Sequence, residues 1–190
     1  MSKPTDAPVG SPVAGGQPKG QDGSQPKAHA PVGIGQPKAQ TKVPPFVHRL
    51  VPAWGDADPA RMIYTARFPD YALRAIDAWM LAKVGADFYR MNEDWGIGTP
   101  FVHLQCDFRS PATPRDALLI AVRVEKVGTS SLTFKISCAI EADGRLCFEG
   151  RFVCVCVEAR AQSKAGARPM PLDQRIRAAA ERDLETTGGL

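Results

Sequence analysis

Between Phe68 and Val84, apolar side chains recur at spacings of three and four: Phe68, Tyr71, Ala72, Ala75, Ile76, Trp79, Met80 and Val84. That period lines one broad face of an α-helix and cannot line a strand, whose faces alternate every two residues. Gly85 follows as a stop, because glycine takes the left-handed cap position without steric cost. The pattern predicts a helix over about 67–84, with Asp70 and Arg74 paired at i, i+4 on another face. A stripe this long must be covered, so the helix is expected to lie along a sheet.

The flanking segments supply that sheet. Phe46-Val-His-Arg-Leu-Val51 reads as a short first strand. From Pro100 to Phe108, Val102, Leu104, Cys106 and Phe108 fall on one face, and His103, Gln105 and Asp107 on the other. Residues 118–127, 131–141 and 146–158 follow as further strands, the second with Leu132, Phe134, Ile136, Cys138 and Ile140 on one face. The links Val127-Gly-Thr129 and Ala142-Asp-Gly144 are short, the latter a hairpin signal, so the last three strands should form an antiparallel meander. A second helix is expected at about 172–183, with Leu172, Ile176 and Ala180 on one face. One strand, one long helix, then four strands make an α+β chain of hotdog architecture: a long helix wrapped by a curved antiparallel sheet of about five strands.

Residues 1–44 are a different material. Gln-Pro-Lys recurs at 17, 25 and 36, and Ala-Pro-Val-Gly at 7 and 30. Such a segment cannot bury enough apolar surface to offset the entropy of ordering, so it is expected to be a disordered basic tail. The folded domain is then 45–183, and 184–190 a flexible C-terminus. A formal charge of +4 suits a phosphorylated small molecule and falls short of the dense basic stripe of a nucleic-acid binder. No apolar run approaches the length of a membrane span, and no hydrophobic signal-peptide core precedes the domain. The five cysteines sit in strand-like runs, where the residue behaves as a small hydrophobe. Cys154 and Cys156 share a strand face in poor disulfide geometry, and no Cys-x-x-Cys pair offers a metal site. These features predict a cytoplasmic protein with no metal and no cofactor.

The strand-to-helix junction, Trp54-Gly-Asp-Ala-Asp-Pro-Ala-Arg-Met-Ile-Tyr-Thr65, concentrates the polar chemistry. Pro59 disfavours the α region for Asp58, which should therefore stay outside the helix and beside its free N–H groups. On chemistry alone, a helix cap and a reactive carboxylate both remain readings of Asp56 and Asp58. His29, His48 and His103 are scattered, no Gly-x-Ser-x-Gly elbow exists, and Gly96-Ile-Gly98 is too short for a phosphate loop.

These residues carry a resemblance. Phe46-Val-His-Arg, the Trp54-Gly-Asp-Ala-Asp-Pro-Ala junction, Ile63-Tyr64-Thr65 and Arg67-Phe68 resemble the opening of the 4-hydroxybenzoyl-CoA thioesterase family of hotdog enzymes. Gly98-Thr-Pro-Phe, Asp107-Phe-Arg-Ser-Pro, Arg115-Asp116, Gly128-Thr-Ser-Ser131 and Asp143-Gly144 continue it, so that it spans about 44–180. The resemblance implies an acyl-CoA thioesterase acting on an aromatic or medium-size acyl group, with the CoA thioester as substrate. It implies Asp58 as nucleophile or general base, and backbone N–H groups around Tyr64 and Thr65 as the oxyanion hole. Thr99 matches a position lining the acyl pocket. The family's active sites lie between subunits, implying a homodimer or homotetramer.

The chain also departs from the family pattern. Arg61 replaces a glycine that frees the turn, so it is expected to alter the loop or reach the CoA nucleotide. Ala66 replaces a proline. Leu73 stands where an aspartate reads a ring hydroxyl, with Asp77 one turn later. Arg109, Arg123, Lys126, Arg151 and Arg160 lie on or beside strands that could present cations to CoA. The rival readings are a hotdog hydratase or dehydratase, which would need a histidine near the long helix, and a non-catalytic module binding acyl-CoA or an acyl-carrier protein.

Overall fold

A computed structural model of the chain describes residues 44–159 and 168–187. The expected tail, except its last residue, lies outside the described residues, as does Arg160. The long helix, α1, spans Arg67–Val84. Its stripe is buried as the period required: Phe68, Tyr71, Ala72, Ala75, Ile76, Trp79 and Met80 are the residues it sinks into the core. Each large member contributes about 1.5–3 kcal/mol by leaving water. Pro69 is tolerated because it falls in the first turn, where its missing N–H has no intrahelical partner. Gly85, at φ 93°, ends the helix with its N–H shared between the carbonyls of Met80 and Leu81.

The sheet comprises β1 (Phe46–Leu50) and four strands after α1. These are β3 (Phe101–Phe108), β4 (Leu118–Val127), β5 (Ser131–Ile140) and β6 (Leu146–Val155). The sheet runs β1-β4-β5-β6-β3. Every pairing is antiparallel, and β4, β5 and β6 form the expected meander. This α+β arrangement, a long helix gripped by an antiparallel five-stranded sheet, is the hotdog fold. Phe134 of β5 meets Trp79 of α1 edge-on at 5.3 Å, and Phe148 of β6 packs on Phe68 at 5.4 Å. Gly150 of β6 lies so close to β3 that a β-carbon there would collide with the Gln105 carbonyl.

Two elements were not expected. A helix, α2, spans Phe88–Trp95, capped by the Asp87 carboxylate on the Arg90 N–H and closed by Gly96 at φ 65°. A two-stranded ribbon joins β2 (Ile97–Gly98) to β7 (Val157–Glu158). The last helix, α3, spans Gln174–Thr187 and so runs beyond the expected end at 183. Among the described residues, no helix is long and apolar enough to cross a membrane.

β1 pairs with β4 only as far as Phe46 opposite Val122, so Val124 to Val127 extend beyond it. Asp183 of α3 covers this edge, its Oδ2 accepting the Val124 N–H at 2.8 Å beside a bulge at Val124–Lys126. An N–H stripped of that acceptor while remaining half-buried costs about 1–3 kcal/mol. Asp183→Ala is therefore expected to lower stability by about 1–2 kcal/mol, read as a reduced urea midpoint at unchanged slope.

Candidate active site

Trp54–Asp56 form one turn of 3-10 helix, and the chain then loops back so that Ala57 bridges Ile63. The two junction carboxylates meet different fates. Asp56 is held from four directions. Its Oδ2 accepts the Ala53 N–H at 2.9 Å and the Tyr71 hydroxyl at 2.7 Å. Its Oδ1 lies 3.1 Å from Arg67 Nε, and its backbone carbonyl accepts the Tyr64 N–H at 2.9 Å. The Tyr71 hydroxyl, the Ala53 N–H and the Arg67 charge together hold the Asp56 carboxyl below the usual carboxylate range. Burial, seconded by the Asp56 charge, raises the Tyr71 phenol, which stays a neutral donor.

Asp58 is half-buried and differently bound. Its Oδ1 accepts the Ala60 N–H at 2.9 Å and the Met62 N–H at 3.3 Å, an Asx-type turn that fixes the side chain. Its Oδ2 has no hydrogen-bond partner among the described residues. Asp58 lines two adjoining cavities. One, of about 280 Å³, is walled by Met62, Ile63, Thr65, Phe68 and Phe108, with Arg109 to Pro111 at its rim. The other is an open groove of about 770 Å³ walled by Trp54, Ala57, Arg61, Thr113, Pro114 and Arg115. The Ile63 N–H donates to the Ala112 carbonyl at 2.8 Å, tying the loop of Asp58 to the loop after β3.

The remaining candidates separate on inspection. The Tyr64 N–H is committed to Asp56, which removes it as an oxyanion donor; the Thr65 and Ala66 N–H groups have no partner among the described residues. Thr99 lies beyond the far end of β3 from Phe108, roughly 24 Å along an eight-residue strand, and does not line either cavity of its own chain. Arg109 reaches the smaller cavity but is paired with Glu149 at 2.8 Å. Arg123 stands opposite Lys135 in mid-sheet, Lys126 sits at the bulge, and Arg151 is paired with Glu125 at 2.7 Å. None of these three lines a cavity beside Asp58. Asp77 does not replace the missing ring-hydroxyl reader, because its carboxylate accepts the Phe88 N–H at 2.7 Å and anchors α2. Leu73 packs against the core. No group of His, Cys, Asp and Glu able to hold a metal occurs among the described residues.

Sequence reasoning missed Tyr71 and Arg67 as the residues that position the junction, and Trp54 and Arg115 as groove walls. The i, i+4 spacing of Arg67 and Tyr71 on the first turns of α1 was the available signal. Nothing local pointed to Arg115.

Comparison with known proteins agrees with this fold. Residues 52–180 match the thioesterase-like superfamily, and the chain belongs to that superfamily. A solved thioesterase-superfamily structure from Jannaschia sp. CCS1 is 36% identical, covering 79% of this chain and 98% of its own, with a TM-score of 0.67. The 1,4-dihydroxy-2-naphthoyl-CoA thioesterase of Synechocystis shares the fold at 20% identity, over 74% of this chain and 97% of its own, with a TM-score of 0.64. A 4-hydroxybenzoyl-CoA thioesterase variant, solved with 4-hydroxybenzoyl-CoA, does so at 15% identity, over 73% and 99%, with a TM-score of 0.65. No protein of curated function matches by sequence.

Two outcomes follow from the junction. Asp56→Asn should cost about 1–3 kcal/mol at neutral pH through loss of the charged acceptor. A carboxyl whose folded pKa is depressed stabilises above its unfolded value and loses that contribution as pH falls through the folded one. The gap between wild type and Asp56→Asn should thus be full at pH 7 and narrow below about pH 4 in urea titrations. Among the described residues, Arg61 is the one non-glycine with positive φ, at 63°. Arg61→Gly should relieve a left-handed strain of about 1–2 kcal/mol, offset in part by glycine's unfolded-state entropy. The expected net gain is about 0.5–1 kcal/mol, seen as a raised melting temperature.

Proposed function

We propose that the protein hydrolyses an acyl-CoA thioester to the free acid and CoA, with Asp58 as the reacting carboxylate. The single observation that carries this reading is the division of labour in Asp58. One oxygen is pinned by two backbone N–H groups while the other is unengaged among the described residues, at the edge of a cavity walled in part by Met62, Ile63, Phe68 and Phe108. A side chain fixed in place with a lone pair to spare is suited to attack a carbonyl or to deprotonate a water.

By the nucleophilic route, the free oxygen bonds to the thioester carbon and the C–S bond breaks. CoA thiolate leaves, and water cleaves the resulting anhydride. By the general-base route, the same oxygen takes a proton from water as the water oxygen bonds to the thioester carbon; the C–S bond then breaks, and the proton passes to the departing CoA thiolate. In either route the oxyanion is met by the Thr65 N–H, which has no partner among the described residues, at the entry to α1. Met62, Ile63, Phe68 and Phe108 supply an apolar wall for an aromatic or medium-size acyl chain. With Leu73 and the engaged Asp77 offering no reader for a ring hydroxyl, an unsubstituted acyl group suits the cavity better than a hydroxylated ring.

The working unit in this reading is a homodimer or a homotetramer. β3 is an edge strand, and it exposes Val102, Leu104 and Phe108. Such an edge invites pairing with a second copy. Antiparallel two-fold pairing would bring the partner's Thr99 toward Phe108 and so to the acyl cavity. The buried free thiols of Cys138, Cys147, Cys154 and Cys156 accord with a reducing cytoplasm. The absence of histidine from both cavities beside Asp58 disfavours a hydratase.

A hydrolysis screen over benzoyl, phenylacetyl, short and long acyl-CoA esters tests the reading. Asp58→Asn should lower kcat on the best ester by about 10²–10⁴-fold while the protein stays folded. Wild-type turnover by Asp58→Asn sinks the assignment. Tight acyl-CoA capture without turnover by the wild type would instead mark a binding module.

A further inference from the structure

Two thiols that hydrolysis does not use meet in the core. Cys138 of β5 stands opposite Phe148 of β6, and the next pair is Ala139 with Leu146, so Cys147 is the extra residue of a bulge. A bulge sets two residues of one strand against one of the other. Cys147 and Phe148 are accordingly buried in succession, with Cys138 buried across from them. The two thiols are hydrogen-bonded to each other. Opposed Cα atoms of an antiparallel pair lie about 4.5–5.5 Å apart, inside the roughly 4.4–6.8 Å range of disulfides. Joining the two sulfurs thus calls only for a local adjustment of the bulge. Cys106 stands opposite Gly150 and Cys154 opposite Leu132, so neither has a thiol across the ladder.

The same bulge fastens the rim of the smaller cavity. The Cys147 carbonyl accepts the Arg109 N–H at 2.8 Å and the Ser110 N–H at 3.2 Å. The Leu146 carbonyl accepts the Ser110 hydroxyl at 2.6 Å. Arg109, Ser110 and Pro111 line that cavity together with Asp58. On the other side of Cys147, Phe148 packs at 5.4 Å on Phe68, which walls the same cavity. A backbone shift at Cys147 is therefore passed to two parts of the wall. The hydrogen bond from Cys138 lowers the Cys147 thiol from its usual value, with burial opposing and the Arg145 charge assisting. Cys147 is thus the sulfur that ionises first, and the thiolate is the reactive form. The Ser110 hydroxyl lies against it, so local opening of the rim admits a small oxidant.

We propose that Cys138 and Cys147 form a redox switch on this site: hydrogen peroxide converts the dithiol to a disulfide, the bulge shifts, and the Arg109–Pro111 rim leaves the geometry that turnover needs. Control of turnover rests on the thioesterase reading above; the disulfide does not. The Cys147 thiolate attacks one peroxide oxygen, forming an S–O bond as the O–O bond breaks. The departing hydroxide takes up the proton that Cys147 gave and leaves as water. The Cys138 sulfur then attacks the sulfenic sulfur, so that the S–S bond forms and the S–O bond breaks. The second hydroxide leaves with the Cys138 proton as water. The dithiol loses two electrons and two protons, and the peroxide gains both. A dithiol reductant reverses the change by exchange. In a reducing compartment the pair rests as two thiols, as it does in this structure.

The test treats the full chain with hydrogen peroxide, blocks the remaining thiols with iodoacetamide and maps linkages by peptide mass spectrometry, beside turnover of the best acyl-CoA. A Cys138–Cys147 linkage should appear, kcat/KM should fall about 10–100-fold, and dithiothreitol should restore it. Amide exchange at Arg109 and Ser110 should quicken in the oxidised chain. Cys147→Ser should keep the resting activity and lose the reversible fall; Cys147→Ala serves the same purpose if the serine variant does not fold. An equal reversible fall in the variant overturns the switch, and so does a linkage that leaves wild-type turnover unchanged. Absence of the linkage overturns the pair itself. If the wild type hydrolyses no thioester, the thioesterase reading fails, and the linkage and the amide exchange still decide the device. A linkage with quickened exchange supports it, and a linkage with unchanged exchange overturns the coupling to the rim.

Discussion

The junction depends on one carboxylate that has both of its oxygens engaged. Asp56 gathers the Ala53 N–H, the Tyr71 hydroxyl and the Arg67 guanidinium, and its carbonyl holds the Tyr64 N–H. It thereby fastens a loop to the first two turns of a helix that the sheet already grips. With the Ala57–Ile63 bridge and the Ile63–Ala112 hydrogen bond, that anchor fixes the Asx turn of Asp58 relative to the start of α1. The first aspartate thus helps to fix the loop that carries the second. One has both oxygens engaged, and the other has an oxygen without a partner among the described residues.

A polar anchor of this kind functions only against an unyielding backing. Phe68, one residue after Arg67, packs on Phe108 and Phe148 at 5.8 and 5.4 Å. Tyr71, which donates to Asp56, meets Phe68 edge-on at 6.1 Å. The aromatic cluster that stabilises the helix start therefore also supplies part of the wall of the smaller cavity beside Asp58 and packs against the phenol holding Asp56. Fold stability and site geometry share the same side chains at this end of α1.

The α1 span was legible residue by residue because an unbroken three-four period and a terminal glycine leave few alternatives. The meander was legible for a similar reason, since its strands alternate and its turns are short. α2 was not, although Asp87 and Gly96 bracket it; eight residues give too little period to set against a loop. At the site, Asp58's place outside the helix could be read from the proline that follows it, its role only from the family resemblance. The engagement of the Tyr64 N–H by Asp56 could not, because it depends on how the loop closes on itself. Likewise Arg115 and Trp54 share a wall although about sixty residues separate them, a proximity set by the Ile63–Ala112 hydrogen bond and invisible to local pattern.

The Asp183–Val124 hydrogen bond carries a consequence for the chain's behaviour outside its native state. Where β1 stops, β4 presents backbone groups that α3 covers with a charged side chain. An uncovered strand end is a template for any other extended chain, and a carboxylate there repels as well as caps. The C-terminal helix thus guards against intermolecular sheet growth. A chain clipped before α3 would lose this cover together with the core packing of Ile176 and Ala180, leaving the end of β4 open to other chains.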